Sequence, residues 1–110
     1  MLKVDIRIDV LKARVTVYVG ESEKFIHHLL DGKGYLARCV YRFENESKFP
    51  HRCIIHSKSA AMSVIAHEAV HAASYILGGM GAIADYDDDE VQAYIVQHIC
   101  EKVEAKIYAA

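Results

Sequence analysis

His67-Glu68-Ala69-Val70-His71 is an HExxH pentapeptide in the middle of the best helix candidate in the chain. Residues four apart on a helix stand on one face, with Cβ atoms roughly 5–6 Å apart. Two imidazoles so placed can converge on one zinc ion at about 2.0–2.1 Å each. Glu68, one residue along, falls beside the ion rather than on it. There it can take a proton from a zinc-bound water whose pKa the metal has lowered to about 7. The pentapeptide thus encodes two ligands and a general base, the elements of metal-assisted hydrolysis. A helical histidine pair can also be plain packing, and seven histidines in 110 residues raise the rate of chance matches. The flanks argue against chance: residues 59–66 and 72–77 are mostly apolar or small, as in a core helix, and Gly78-Gly79 reads as its stop. In such a core, two imidazoles and a carboxylate would be costly without a metal and hydrogen bonds to satisfy them.

A catalytic zinc usually keeps three protein ligands and one open position. Glu90, nineteen residues after His71, is the expected third ligand. It opens a second helix, near residues 88–108, whose acidic lead-in suits the positive end of a helix. Glu90, Ala93, Tyr94 and Gln97 share one face at i, i+3, i+4 and i+7, and the small Ala93 would allow close approach to the HExxH helix. The acidic run could instead serve only the helix N-terminus, and Asp87, Asp88 or Asp89 could ligate in place of Glu90.

HEAVH followed by a helix opening Glu90-Val91-Gln92-Ala93 resembles the gluzincin branch of zinc metallopeptidases. In size and layout the chain is most similar to minigluzincin-type domains and to small metallopeptidase-like proteins of phage genomes. The resemblance covers mainly residues 50–105. The metzincin pattern fits poorly, since it needs glycine at position 74 and histidine at 77, where this chain has Ser74 and Leu77. The thermolysin-like pattern carries an aspartate four residues after the ligand glutamate to orient a ligand histidine; Tyr94 stands there instead.

Around these helices the chain must supply a platform. Residues 2–10 alternate apolar and charged, as a strand with one wet face does, and 13–19 repeat the pattern after a break at Leu11-Lys12, giving a hairpin. Ser22 can cap a short helix over 23–31 that buries Phe25, Ile26, Leu29 and Leu30, with His27 and His28 on the solvent side. Residues 31–34 form a turn, 35–43 and 51–57 read as strands around a polar loop, and the HExxH helix covers about 59–77. The expected fold is α+β: one minimal zincin-like domain over 1–110, with helices on a small, twisted, mainly antiparallel sheet, an HExxH helix and a C-terminal glutamate helix.

Composition narrows the alternatives. An apolar fraction of 53% supports a packed core, and 25% charged residues is ordinary for a soluble domain. A net charge of −2 gives no basic footprint for nucleic acid. No secretory h-region and no apolar run long enough to span a bilayer is visible, so a cytoplasmic protein is expected, in the host cytoplasm if phage-encoded. Cys39, Cys53 and Cys100 lack metal or disulfide spacing and read as free thiols, although Cys39 and Cys53 could face each other across strands. His51 and His56 read as strand histidines satisfied by backbone or water, and His98, two turns beyond Glu90, lies too far along to join the metal. Gly78 to Gly81 follow a helix rather than open one, which excludes a phosphate cradle.

The resemblance implies a zinc-dependent metallopeptidase. His67, His71 and Glu90 would hold zinc, Glu68 would be the base, and a peptide or protein would be the substrate, with neither nucleic acid nor membrane as partner. An extended peptide would add to the edge strand near residues 36–43. Tyr86 and Tyr94 are candidate donors to the developing oxyanion. The alternative is a zinc-stabilised binding protein, weak or silent in catalysis, that engages a host partner of a phage. A third reading is an interaction domain without metal. Oligomeric state has no signature in the sequence.

Overall fold

The computed structural model describes residues 1–21, 23–30, 34–81 and 90–109. Four strands form one sheet: β1 (Leu2–Ile8), β2 (Ala13–Val19), β3 (Ala37–Phe43) and β4 (His51–Ser57). Three helices accompany them: α1 (Lys24–Leu29), α2 (Met62–Gly79) and α3 (Glu90–Ala109). The strand order is β1-β2-β4-β3. Both outer pairs, β1 with β2 and β3 with β4, are antiparallel, while the central β2–β4 pair is parallel. The mainly antiparallel sheet expected from the hairpins is therefore a mixed one. β4 inserts between β2 and β3 and buries most of its length, whereas β1 and β3 are left as edges.

The β1–β2 link is a 3₁₀ turn at Asp9–Leu11, closed by Lys12 in the left-handed region at φ 50°. This takes two residues that alternation alone would add to β1. On one face of the sheet, Val4, Ile6, Val15, Val17, Val19, Cys53 and Ile55 meet α2 and α3. The helices answer with Ile65, Ala69, Ala72, Ala73 and Ile76 from α2 and Ile95, Ile99 and Val103 from α3. Alanines at one side of α2 let its axis lie close to the strands, and burial of this apolar area supplies the main driving force.

The opposite face carries a smaller cluster, in which Ile26 and Leu30 of the α1 segment cover Tyr18 and Ile54. Phe25, expected in that core, is 45% exposed and meets only the edge of the Tyr18 ring. A six-residue helix presents too narrow a stripe to bury four side chains. His27 and His28 lie at the half-buried and exposed positions, as helical phasing requires. Ser22 and most of the 31–34 turn fall outside the described residues.

α2 runs past the expected stop, through both Gly78 and Gly79. A Cβ on Gly79 would lie 2.8 Å from Cζ of Tyr41 and closer still to its hydroxyl. Gly79 is thus the point where the helix backbone lies directly on a β3 side chain. Gly78 has open space around it.

Candidate active site

His67 and His71 stand one turn apart on α2, and their Nε2 atoms are 3.3 Å apart. Two zinc–nitrogen bonds of about 2.0–2.1 Å at a tetrahedral angle place the nitrogens about 3.3–3.4 Å from each other. The two rings therefore already hold the spacing of a shared tetrahedral ion, and the donor chemistry fits zinc. Both histidines are exposed on the face of α2 turned away from the core. This corrects the expectation that they are buried. The core stripe of α2 runs through residues 65, 69, 72, 73 and 76, and i, i+4 geometry holds positions 67 and 71 on the other side.

Glu68 is the exception, at 8% exposure. It lines a cleft of 340 Å³ together with His67, Ser63, Val64 and two residues at the start of the β3 edge, Leu36 and Ala37. β3 and α2 run side by side, with Ala37 near Glu68 at one end and Tyr41 against Gly79 at the other. Beneath the helix, the Cys39 thiol is pushed strongly upward by its contact with Cys53, by burial and by the nearby Glu68 carboxylate. Cys39 pairs with Ile55 in register, so Cys53 is its diagonal neighbour on the same sheet face. All three cysteines are free.

Glu90 is the first residue of α3 and is exposed. Glu90, Ala93, Tyr94 and Gln97 share a face as expected, but that face is turned from the core, because α3 buries Ile95, Ile99 and Val103 instead. The face is also divided. Ala93 and Gln97 border a groove with Val70 of α2, and Gln92 donates to Ser74 Oγ at 2.9 Å. Tyr94, 65% exposed, lines a different groove with residues 7–11 and His98, on the β1 side of α3. Tyr94 therefore lines a different groove from the one shared by His67 and Glu68. Among the described residues, no three His, Cys, Asp or Glu side chains come together in a group able to hold a metal ion. Glu90 is thus not joined to His67 and His71 in this conformation; Tyr86, Asp87, Asp88 and Asp89 lie outside the described residues.

Among the described residues, Tyr75 reaches the histidines: its ring stacks on His71 with centroids 6.2 Å apart and planes at 21°. Its position four residues after His71 is the same spacing that couples the histidines, so it was open to detection by that rule. His51 pairs with the Tyr41 hydroxyl at 2.9 Å beside Gly79. His56 is fully buried, with Nε2 2.8 Å from the Gly20 carbonyl and Nδ1 2.9 Å from the Tyr35 hydroxyl. Since a carbonyl only accepts, Nε2 donates to Gly20, while Nδ1 pairs with the Tyr35 hydroxyl. Both histidines tie elements together and stand apart from the cleft. No described helix is long and apolar enough to cross a membrane. No protein-family model, curated protein or solved structure matches the chain.

Proposed function

We propose that this protein is a minimal zinc-dependent metallopeptidase of gluzincin type. The observation that carries the reading is the 3.3 Å separation of the His67 and His71 Nε2 atoms, with His67 lining one cleft together with the buried Glu68. His67 and His71 would hold zinc with a carboxylate from the start of α3, Glu90 first and Asp87, Asp88 or Asp89 as the alternatives. Bound there, zinc would supply Lewis acidity toward water and toward the scissile carbonyl. Glu68 accepts the proton of the attacking water and returns it to the leaving nitrogen. The β3 edge, unpaired among the described residues, would offer main-chain donors and acceptors to an extended peptide lying along the cleft. Tyr75, stacked on His71, holds that ring in position.

A zinc-stabilised binding protein is the second reading, favoured by the exposure of the histidines and by the absence of an assembled third ligand among the described residues. Glu68 separates the two, because a structural zinc needs its ligands but no base. Glu68→Gln should keep fold and zinc while peptide hydrolysis falls by about 10²–10⁴-fold. Zinc-loaded wild type showing no Glu68-dependent cleavage of a diverse peptide library would discard the peptidase in favour of the binding protein.

A further inference from the structure

β1 ends the sheet on one side, and among the described residues nothing pairs with its outer edge. Grooves of 460 and 450 Å³ follow the junction of β1 with α3 and share Arg7 and His98, so the strand lies open along residues 5–11. An open strand edge is a template for another strand, and what may pair with it is decided by its side chains. The segment Lys3-Val4-Asp5-Ile6-Arg7-Ile8-Asp9 is complementary to itself about Ile6. Laid antiparallel on a second copy with Ile6 opposite Ile6, it sets Asp5 opposite Arg7, Val4 opposite Ile8 and Lys3 opposite Asp9, each pair occurring twice. Charge then meets opposite charge on one face, and apolar meets apolar on the face where Val4 and Ile6 lie in the core.

The neighbouring registers fit less well. A shift that swaps the two faces would bring the apolar set against the charged one. Centring on Asp5 sets Asp5 opposite Asp5 and Lys3 opposite Arg7, and centring on Arg7 sets Arg7 opposite Arg7, like-charge pairs that oppose strand pairing. Centring on Val4 joins Lys3 to Asp5 but leaves Arg7 opposite Met1. The charged groups can also take the new partners. Arg7 faces the like charge of Arg14 on β2, lies over the Phe49 ring at 5.6 Å and has no carboxylate partner among the described residues. Asp5 accepts Arg14 Nε and Thr16 Oγ1 at Oδ1 and a second Arg14 nitrogen at Oδ2. A carboxylate has about four lone-pair sites, so Oδ2 keeps a place for one more donor. Lys3 and Asp9 are exposed.

We propose that the β1 edge is the interface of a homodimer, in which two copies join antiparallel about Ile6 and their sheets become one. Such an interface is isologous, so each favourable pair is made twice around the two-fold axis. Asp5 of the second copy then stands on the side of Arg7 away from Arg14 and offsets the repulsion between those two arginines. Val10, 93% exposed just beyond β1, comes level with the second copy's Leu2, and the exposed Val91 and Tyr94 border the same groove. The interface stands independently of the peptidase reading, because β1 and β3 are opposite edges of the sheet and the cleft lies along β3.

The test is sedimentation equilibrium of the full chain from micromolar to millimolar concentration, where wild type should pass from monomer to dimer. Arg7→Asp turns two opposite-charge pairs into two like-charge pairs and should raise the dimer Kd by about 10–100-fold. Lys3→Asp and Asp9→Lys should each raise it by about 10-fold, and the variant carrying both changes should return to within about 3-fold of wild type. That rescue depends on the register and does not follow from net charge. Lys24→Asp on α1, away from the edge, should leave the Kd unchanged. If the variants at Lys3 and Asp9 fail to fold, Arg7→Asp carries the test. A chain that stays monomeric at millimolar concentration, a Kd indifferent to Arg7→Asp, a folded double variant without rescue, or equal loss in Lys24→Asp overturns the proposal. A monomer that binds an unrelated extended peptide, and loses it in Arg7→Asp, overturns it in favour of a peptide partner at this edge.

Discussion

Replacing Gly79 and Gly78 by alanine should move stability in opposite directions, although the two glycines adjoin at the end of one helix. Alanine in a helix interior is worth up to about 1 kcal/mol over glycine, and somewhat less in the last turn. At Gly78 a methyl group meets nothing within 4 Å, so Gly78→Ala should stabilise by a few tenths to about 1 kcal/mol. At Gly79 it falls 2.8 Å from Tyr41 Cζ, and 3.3 Å from His51 Nδ1, the atom that partners the Tyr41 hydroxyl. Overpacking of this kind costs about 1–3 kcal/mol. Displacing Tyr41 from His51 adds about 0.5–1.5 kcal/mol. Set against the smaller helix gain, Gly79→Ala should be destabilised by about 1–3 kcal/mol. In urea, with m of about 2 kcal/mol/M, that lowers the midpoint by roughly 0.5–1.5 M. Equal or higher stability of Gly79→Ala than Gly78→Ala, at unchanged m, would refute the close approach of α2 to Tyr41.

Zinc binding followed by native mass spectrometry should be lost in His67→Ala and His71→Ala and weakened in Glu90→Ala; tight binding in Glu90→Ala but not in Asp88→Ala or Asp89→Ala would move the third ligand. Tyr75→Ala should weaken zinc affinity about 10-fold, the lower end for outer-shell support, and Tyr75→Phe should restore it, since the contact with His71 is ring on ring. The hydrogen bond from Arg14 holds the Asp5 carboxyl below its usual value of 3.8. A carboxylate lowered on folding contributes stability that is present above the unfolded pKa and lost as pH falls through the folded one. Asp5→Asn should therefore flatten the acid limb of the stability–pH curve below about pH 4 and leave its slope near neutrality unchanged.

Much of this protein was legible in its residues because the geometry concerned is local. Backbone dihedrals alone set four-residue spacing on a helix, so HExxH implied two converging imidazoles before any packing was known. Alternation placed β2 at its observed limits, and the strand read over residues 51–57 matches β4, an apolar Cys53-Ile54-Ile55 run buried on both faces. Tertiary contacts decided the rest. Both edge strands and the parallel β2–β4 pair follow from where β4 inserts, which no local period encodes. Glu90 lies on a regular helical face, yet which face meets the core was settled by Ile95, Ile99 and Val103 against the sheet and α2. Glu68 is buried and His67 exposed, though adjacent, because β3 lies along only one flank of α2. Arg7, Arg14, Arg42 and Arg52 are scattered in sequence and become cross-strand neighbours only through strand register, a long-range property that sets every cross-strand pair at once.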